Sequence, residues 1–199
     1  MTRSLLLRLS LVAALAATTS QPLGAALTSH VSPETSSGRV ATQNRRGAEH
    51  TEEVSRTFTT SGAAALDLSN IAGRIEVTGG TGSAIRIDAV KRVRHQDAAE
   101  GRRLLSALRV EMSQVGNRVE VRTEYPRGER RFSGQVDYTV TVPASAAVAI
   151  KSISGEVILT GISGETRADS VSGDVVVSRC PQLAHARTVS GDVRVSDVA

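Results

Sequence analysis

Residues 153–157 read Ile-Ser-Gly-Glu-Val, and the pattern returns as Val-Ser-Gly-Asp-Val at 171–175 and again at 189–193. Both steps along the chain are 18 residues long. Repetition at a fixed period is typical of architectures in which each repeat packs against its neighbours. The repeat therefore sets the expected architecture of the C-terminal third.

A nine-residue half-period lies within this repeat. Each half carries two apolar or small residues at alternate positions and a third one three residues later, as in Val157, Leu159 and Ile162. Alternation of this kind is typical of a half-buried strand. We interpret each half as a short strand with two inward side chains, a turn, and one inward turn residue. Ile153, Val171 and Val189 are inward turn residues on this interpretation.

The predicted fold class is an all-β solenoid of 18-residue coils with two short strands per coil. Strands with two large inward side chains, such as Val175 and Val177, would form one sheet. Strands with two small ones, such as Ala184 and Ala186, would form the facing sheet. Large side chains packed against small ones can fill a narrow core without voids. The only cysteine, Cys180, falls in an inward column and is expected to be buried, so no intrachain disulfide can form.

Glycine and acidic residues form further columns in the repeat. Glycine supplies backbone conformations that other residues resist, so a glycine column is expected at the bend. An acidic column beside it should face solvent and accept hydrogen bonds at the turns. Calcium binding is the alternative, although nonapeptide calcium repeats need a denser Gly-Gly-x-Gly-x-Asp pattern. The structural repeat residues are Gly155, Gly173, Gly191, Glu156, Asp174 and Asp192.

The whole chain is expected to divide into three parts. Residues 1–25 have a basic start, an apolar run and small residues near Ala16 and Ala25, which predicts a secretory signal peptide. Residues 26–55 are polar and aperiodic, which predicts a flexible spacer. Residues 56–199 form the strand-repeat domain, with one short helical insert between His95 and Arg109. No second apolar run of membrane-spanning length follows the leader.

Composition argues against several functions. Aromatic residues are 2% of the chain and Trp is absent, whereas platforms for single-stranded nucleic acid need several exposed aromatics. The net charge is +4, but acidic residues interrupt the basic stretch 91–131, so a nucleic-acid partner is not expected. Neither a phosphate loop, a zinc-ligand spacing nor a nucleophile elbow is present, so no catalytic residue, cofactor or metal is predicted.

Residues 136–143 read Val-Asp-Tyr-Thr-Val-Thr-Val-Pro ahead of the Ser-Gly-Asp-Val repeats. With the 66–77 opening and the helical insert, this resembles the bacterial "putative adhesin" β-strand-repeat domains of unknown function. The resemblance covers 58–199. It implies an exported protein with a signal peptide, and it brings no catalytic residues.

The predicted function is that of an exported, non-catalytic, adhesin-like interaction protein in the periplasm, the cell envelope or the extracellular space. Its ligand would be an unidentified envelope or surface component. Two alternatives are a structural or self-assembling envelope module and, least favoured, an envelope polysaccharide-active enzyme. Self-association would use the C-terminal coil, which stops inside a half-repeat and is expected to be truncated or uncapped. The candidate contacts are outward residues of the small-residue sheet: Glu165, Arg167, Asp169, His185 and Arg187.

Overall fold

The computed structural model describes residues 47–126, 128 and 132–198. All of them belong to one unit, which spans 43–199. The expected signal peptide, 1–25, lies outside the described residues, as does the expected spacer up to residue 46. The end of that spacer, from Ala48, is part of a strand.

The described residues form thirteen strands and one helix. The strands of the first half are β1 (Ala48–Thr59), β2 (Ala65–Ala72), β3 (Ile75–Gly80), β4 (Ala84–His95), β5 (Arg109–Val115) and β6 (Arg118–Glu124). The helix α1 (Ala98–Ala107) joins β4 to β5. The second half contains β7 (Gly134–Pro143), β8 (Ala147–Ser154), β9 (Val157–Thr160), β10 (Thr166–Ser172), β11 (Val175–Ser178), β12 (Leu183–Ser190) and β13 (Val193–Ser196).

The strands build two mixed sheets. One has seven strands in the order β1-β4-β7-β3-β9-β11-β13, and the other has six in the order β12-β10-β8-β2-β6-β5. The pairs β1–β4, β4–β7 and β5–β6 are antiparallel, and the remaining pairs are parallel. Inward side chains of both sheets join in one hydrophobic core.

The expected solenoid of 18-residue coils is therefore wrong. The strand order is not the chain order: β7 lies between β4 and β3, and β2 lies between β8 and β6. The 18-residue repeat begins at Val148, so it carries no information on the earlier strands. Several of those strands pair antiparallel, and the short β5–β6 connection makes a hairpin, a geometry that a two-residue turn favours.

Within the repeat, the strands pair in parallel with partners one repeat apart. Val175 lies between Val157 and Val193 in the seven-stranded sheet, and Ala168 lies between Ile150 and Ala186 in the six-stranded sheet. Each position of the repeat thus forms a row that runs across neighbouring strands.

Four bends connect the two sheets and stack on one another through glycine. We call them the glycine bends; they contain Gly73, Gly155, Gly173 and Gly191, with φ between +121° and +138°. A Cβ on Gly155 would lie 2.1 Å from the Gly73 carbonyl oxygen, and one on Gly173 would lie 2.2 Å from that of Gly155. The left-handed conformation and the close approach both demand glycine here.

Strand β1 shows why its first eight residues were assigned to a spacer. Its side chains are mostly exposed, and only Val54 and Phe58 pack against the core. The strand is instead held by its continuous antiparallel ladder with β4, in which Ala48 faces His95 and Thr59 faces Ala84. A strand stabilised mainly through its backbone leaves no apolar alternation in the sequence.

Helix α1 packs against β1 and β4. The Asp97 carboxylate caps its first turn by accepting the Glu100 N–H at 2.8 Å. Gly101 is buried against His50 of β1, where a Cβ would lie 2.3 Å from the imidazole, so close packing explains this glycine inside a helix. None of the described helical residues forms a helix long and apolar enough to cross a membrane.

A buried lysine holds the C-terminal end of α1. Lys91 Nζ donates to the carbonyl oxygens of Leu105 and Leu108 at 3.4 and 3.2 Å, and it lies 2.7 Å from a Glu52 carboxylate oxygen. The ammonium group thus meets both the negative end of the helix and a counter-ion. This contact joins α1, β1 and β4.

Both tyrosines of the chain place their phenol groups in the interior of the domain. The Tyr138 hydroxyl lies 2.6 Å from that of Thr123, and the Tyr125 hydroxyl donates to the Ala72 carbonyl at 3.1 Å. Burial raises the pKa of both tyrosines to about 12, because a phenolate would lose its hydration.

We expect Gly173→Ala to lower the free energy of unfolding by at least about 3 kcal/mol, because it adds a clash with the Gly155 carbonyl to the cost of a left-handed backbone. Gly116→Ala is the matched control: φ is +60° and a Cβ would meet nothing within 4 Å. Its cost should be about 1–2 kcal/mol. Denaturant unfolding followed by circular dichroism measures both, and equal losses would contradict the stacking argument.

Stability should fall as the pH rises from 10 to 12. The unfolded chain loses its tyrosine protons near the ordinary pKa of 10, while the folded protein retains them until about 12. Rising pH in this window therefore favours the unfolded state. Tyr138→Phe should make the fall in unfolding free energy with pH less steep than in the wild type. Identical slopes in a series of denaturant titrations would show that burial of Tyr138 does not set the dependence.

Candidate functional site

The five candidate contact residues lie on the outward face of the six-stranded sheet, on β10, β12 and the turn before β10. Strand pairing places Asp169 opposite Arg187. The Asp169 carboxylate lies 3.1 Å from His185 Nε2 and 3.4 Å from the Arg187 guanidinium. The structure thus brings these three side chains together.

The other two candidates, Glu165 and Arg167, pair with each other. They border a depression of about 190 Å³ whose floor includes the outward residues Ala65, Ala147 and Ala149. This depression lies nearer the start of the strands than Asp169 does. The five residues therefore divide into two groups on one face.

A row of exposed apolar side chains borders the same face at the glycine bends. Four neighbouring strands contribute one residue each, with exposed fractions between 39% and 78%: Ile71, Ile153, Val171 and Val189. We call this row the apolar rail. Its members lie on β2, β8, β10 and β12, which are adjacent in the sheet.

The rail corrects the expectation that Ile153, Val171 and Val189 face inward. Strand β8 continues to Ser154, so its alternation runs on past Lys151: Ser152 is buried and Ile153 is half exposed. The bend after β9 differs from the glycine bends, because its apolar residue faces the core. Strand β9 ends at Thr160, and Ile162, two residues later, is fully buried. Cys180 occupies the equivalent position to Ile162 and is also buried.

A polar row lies beneath the rail, on the inward side of the same strands. Asn70, Ser152 and Ser170 are buried. The Asn70 amide donates to the carbonyls of Ala72 and Val136 at 3.0 and 2.8 Å, which ties β2 to β7. The Ser152 and Ser170 hydroxyls have no hydrogen-bond partner among the described protein groups. These residues are small enough for the bend to close above them.

A groove of about 590 Å³ runs beside the rail, and we call it the bend groove. Its charged lining consists of Arg122, Lys151, Asp169, Arg187 and Glu124. Arg122 is paired with Glu120, and Asp169 with Arg187 and His185. Lys151 has no ion pair or hydrogen bond from its ammonium group to any described residue.

The acidic residues of the repeat lie on the far side of the glycine bends and are neutralised by arginine. Glu156 accepts a hydrogen bond from Arg74 at 2.9 Å. Arg194 contacts Asp174 at 3.2 Å and Asp192 at 2.8 Å. A hydrogen bond from the Asp192 N–H, reinforced by Arg194, holds the pKa of the Asp174 carboxyl below its usual range. The described residues contain no group of three or more His, Cys, Asp or Glu that could hold a metal ion.

Sequence reasoning missed the rail, Lys151 and the buried polar row. The signal was present, because Ala149, Lys151 and Ile153 continue one alternating series and Ile150 and Ser152 the other. Treating the turn as beginning at Lys151 broke the series and assigned Ile153 to the interior.

No protein-family model matches the chain, and no curated protein matches it at the significance required of a relative. Among solved structures, a "putative cell adhesion protein" from Clostridium sporogenes is similar at 8% identity, covering 74% of this chain and 95% of that one, with a TM-score of 0.40. A "putative adhesin" from Bacteroides fragilis is similar at 12% identity, covering 71% of this chain and 61% of that one, with a TM-score of 0.38. Similarities of this size do not establish a shared function.

The two valines of the β10–β11 region test which side chains face solvent. Val171→Ser should change the unfolding free energy by less than about 1 kcal/mol, because Val171 is half exposed. Val177→Ser should cost about 3 kcal/mol or more, because it removes fully buried methyl groups and leaves a hydroxyl in the core. Denaturant titration of both variants measures the difference. Comparable losses would place Val171 in the interior instead.

Proposed function

We propose that the protein is an exported, non-catalytic, adhesin-like interaction protein of the cell envelope. Its bend groove binds an extended acidic segment of a partner protein. The observation that carries the proposal is the exposed apolar rail beside Lys151, whose ammonium group makes no ion pair with any described residue.

The rail supports a binding role. Single exposed apolar residues are normal on a protein surface, whereas a contiguous apolar patch rimmed by polar groups typically marks an interaction site. Here Ile71, Ile153 and Val171 lie side by side on paired strands, with Val189 extending the row. A ligand that covers them gains free energy by removing apolar surface from water.

The charges of the groove favour an acidic ligand. Of the three cations that line the groove, Arg122 is paired with Glu120 and Arg187 with Asp169. Lys151, opposite Asp169 in the strand pairing, makes no ion pair with any residue that the structure describes. Complementary charge guides encounter and fixes the orientation of a ligand.

The shape of the groove favours an extended peptide. The rail crosses four strands spaced by about 4.8 Å, which is a span of about 14 Å, or four to five extended residues. Successive side chains of an extended peptide point to opposite sides. One side could then contact the rail while the other contacts the cations. None of the described residues that line the groove is aromatic, so a sugar ring would find no stacking surface there.

Two further features support the wider proposal. The basic and apolar pattern of residues 1–25 supports export, and the polar composition of 26–46 supports a spacer that gives the domain reach from a surface. The Glu165–Arg167 and Arg122–Glu120 pairs lie apart from the cluster of Asp169, His185 and Arg187, and all three groups are exposed on the sheet face, which favours binding over catalysis.

The test uses a fluorescein-labelled octapeptide in which Leu alternates with Glu, titrated with the purified protein and followed by fluorescence anisotropy. An octapeptide alternating Leu and Lys is the ligand control. We expect saturable binding of the acidic peptide, weakened about tenfold, or about 1.4 kcal/mol, by Lys151→Glu and by Val171→Ser. Higher salt should weaken binding, because it screens the Lys151 charge.

Arg56→Glu is the matched charge control. Arg56 is exposed on β1, outside the residues that line the groove, and its reversal changes the net charge equally. It should leave the affinity unchanged. Equal binding of both peptides, or an equal effect of Arg56→Glu and Lys151→Glu, would contradict the proposed site and leave only non-specific charge attraction.

A further inference from the structure

The row of positions that forms the apolar rail continues onto two further strands. Ser69 of β2 is paired with Arg122 of β6, and the same register continued by two residues places Ile71 beside Glu124. Glu124 is in turn paired with Arg109 of β5, the edge strand of the six-stranded sheet. The row therefore runs from the apolar residues of the rail to a carboxylate and then to a guanidinium.

The two charged side chains at the end of this row are exposed, and they do not neutralise each other. Glu124 and Arg109 both face solvent. Although they lie directly opposite each other, neither makes an ion pair or a side-chain hydrogen bond with any residue that the structure describes. A ligand that carries one charge of each sign can therefore pair with both.

These two residues border a second depression, which we call the end depression. It has a volume of about 650 Å³, and its lining also includes Ala107, Tyr125 and Pro126. Ile71 and Glu124 line both the bend groove and the end depression, so the two adjoin at the end of the rail. A segment that lies along the rail and passes Ile71 thus enters the end depression.

We propose that the end depression binds the carboxyl-terminal residue of the partner segment, and that this residue is lysine or arginine. The inference rests on the proposed function, because the rest of the segment lies in the bend groove. The side-chain cation of the last residue contacts the Glu124 carboxylate. Its α-carboxylate contacts the Arg109 guanidinium, which can bind a carboxylate through two parallel hydrogen bonds. The segment then has one direction, with its last residue over β6 and β5.

The lining of the end depression favours a long basic side chain. Lysine and arginine place their methylene stems along apolar surface and keep the charged group in water. Ile71, Ala107 and Pro126 supply apolar surface beside Glu124. An acidic residue in the same place would be repelled by Glu124. The partner segment is therefore acidic where it passes Lys151 and basic at its end.

A chain terminus fits Arg109 better than an internal residue does. An internal residue carries an amide in place of the α-carboxylate. The next side chain of an extended segment points away from the sheet, and the one after it lies about 7 Å further along, beyond the edge strand β5. Only the terminal carboxylate follows the basic side chain closely enough to reach Arg109.

Three nonapeptides test the proposal by fluorescence anisotropy. Each is the Leu–Glu octapeptide, labelled with fluorescein at its amino end and extended at its carboxyl end by one residue. The added residue is lysine as the free acid, lysine as the amide, or norleucine as the free acid. We expect the lysine free acid to bind about three- to fivefold more tightly than either of the others, because each of them loses one exposed ion pair.

Variants of the protein assign each preference to one residue. Glu124→Gln should remove the preference for lysine over norleucine, and Arg109→Gln should remove the preference for the free acid over the amide. Glu53→Gln and Arg56→Gln are the matched controls, because they make the same charge changes at exposed positions of β1 outside both depressions. The controls should retain both preferences.

The unextended octapeptide separates this inference from the proposed function. If it binds and the three nonapeptides bind equally well, the end depression does not read the carboxyl terminus, while the bend groove stands. Preferences that persist in Glu124→Gln and Arg109→Gln, or that the β1 controls lose to the same extent, would also overturn the inference, since they would reflect net charge alone. Absence of binding by all four peptides would overturn the proposed function and this inference together.

Discussion

The stacking of one glycine bend directly on the next is the constraint on which the rest of this structure depends. A Cβ on Gly155, Gly173 or Gly191 would collide with the carbonyl oxygen of the glycine in the bend before it, which is Gly73, Gly155 or Gly173 in turn. No side chain fits between them, so neighbouring bends cannot slide relative to one another. The strands on both sides are thereby fixed in register.

Because the register is fixed, equivalent residues of successive repeats lie side by side and together form a continuous row on one face of the sheet. Because side chains alternate along a strand, a row of equivalent residues lies wholly inside or wholly outside. Ser152 and Ser170 share the interior, while Ile153 and Val171, one residue later, share the rail. The bend groove therefore results from how far the alternation extends into the bend, and not from any single residue.

The sequence predicts the parts of the fold that the repeat contains and misses the parts that it does not. The 18-residue spacing indicates which residues lie opposite one another between 147 and 196, and α1 lies where a helical face is visible. The solenoid was wrong because β4, β6 and β7 carry ordinary alternation, which is equally compatible with parallel and antiparallel partners. β1 escaped notice because its ladder with β4, and not apolar burial, holds it. For the site, Asp169 and Arg187 could be selected as outward residues, whereas the rail required knowing where each strand ends.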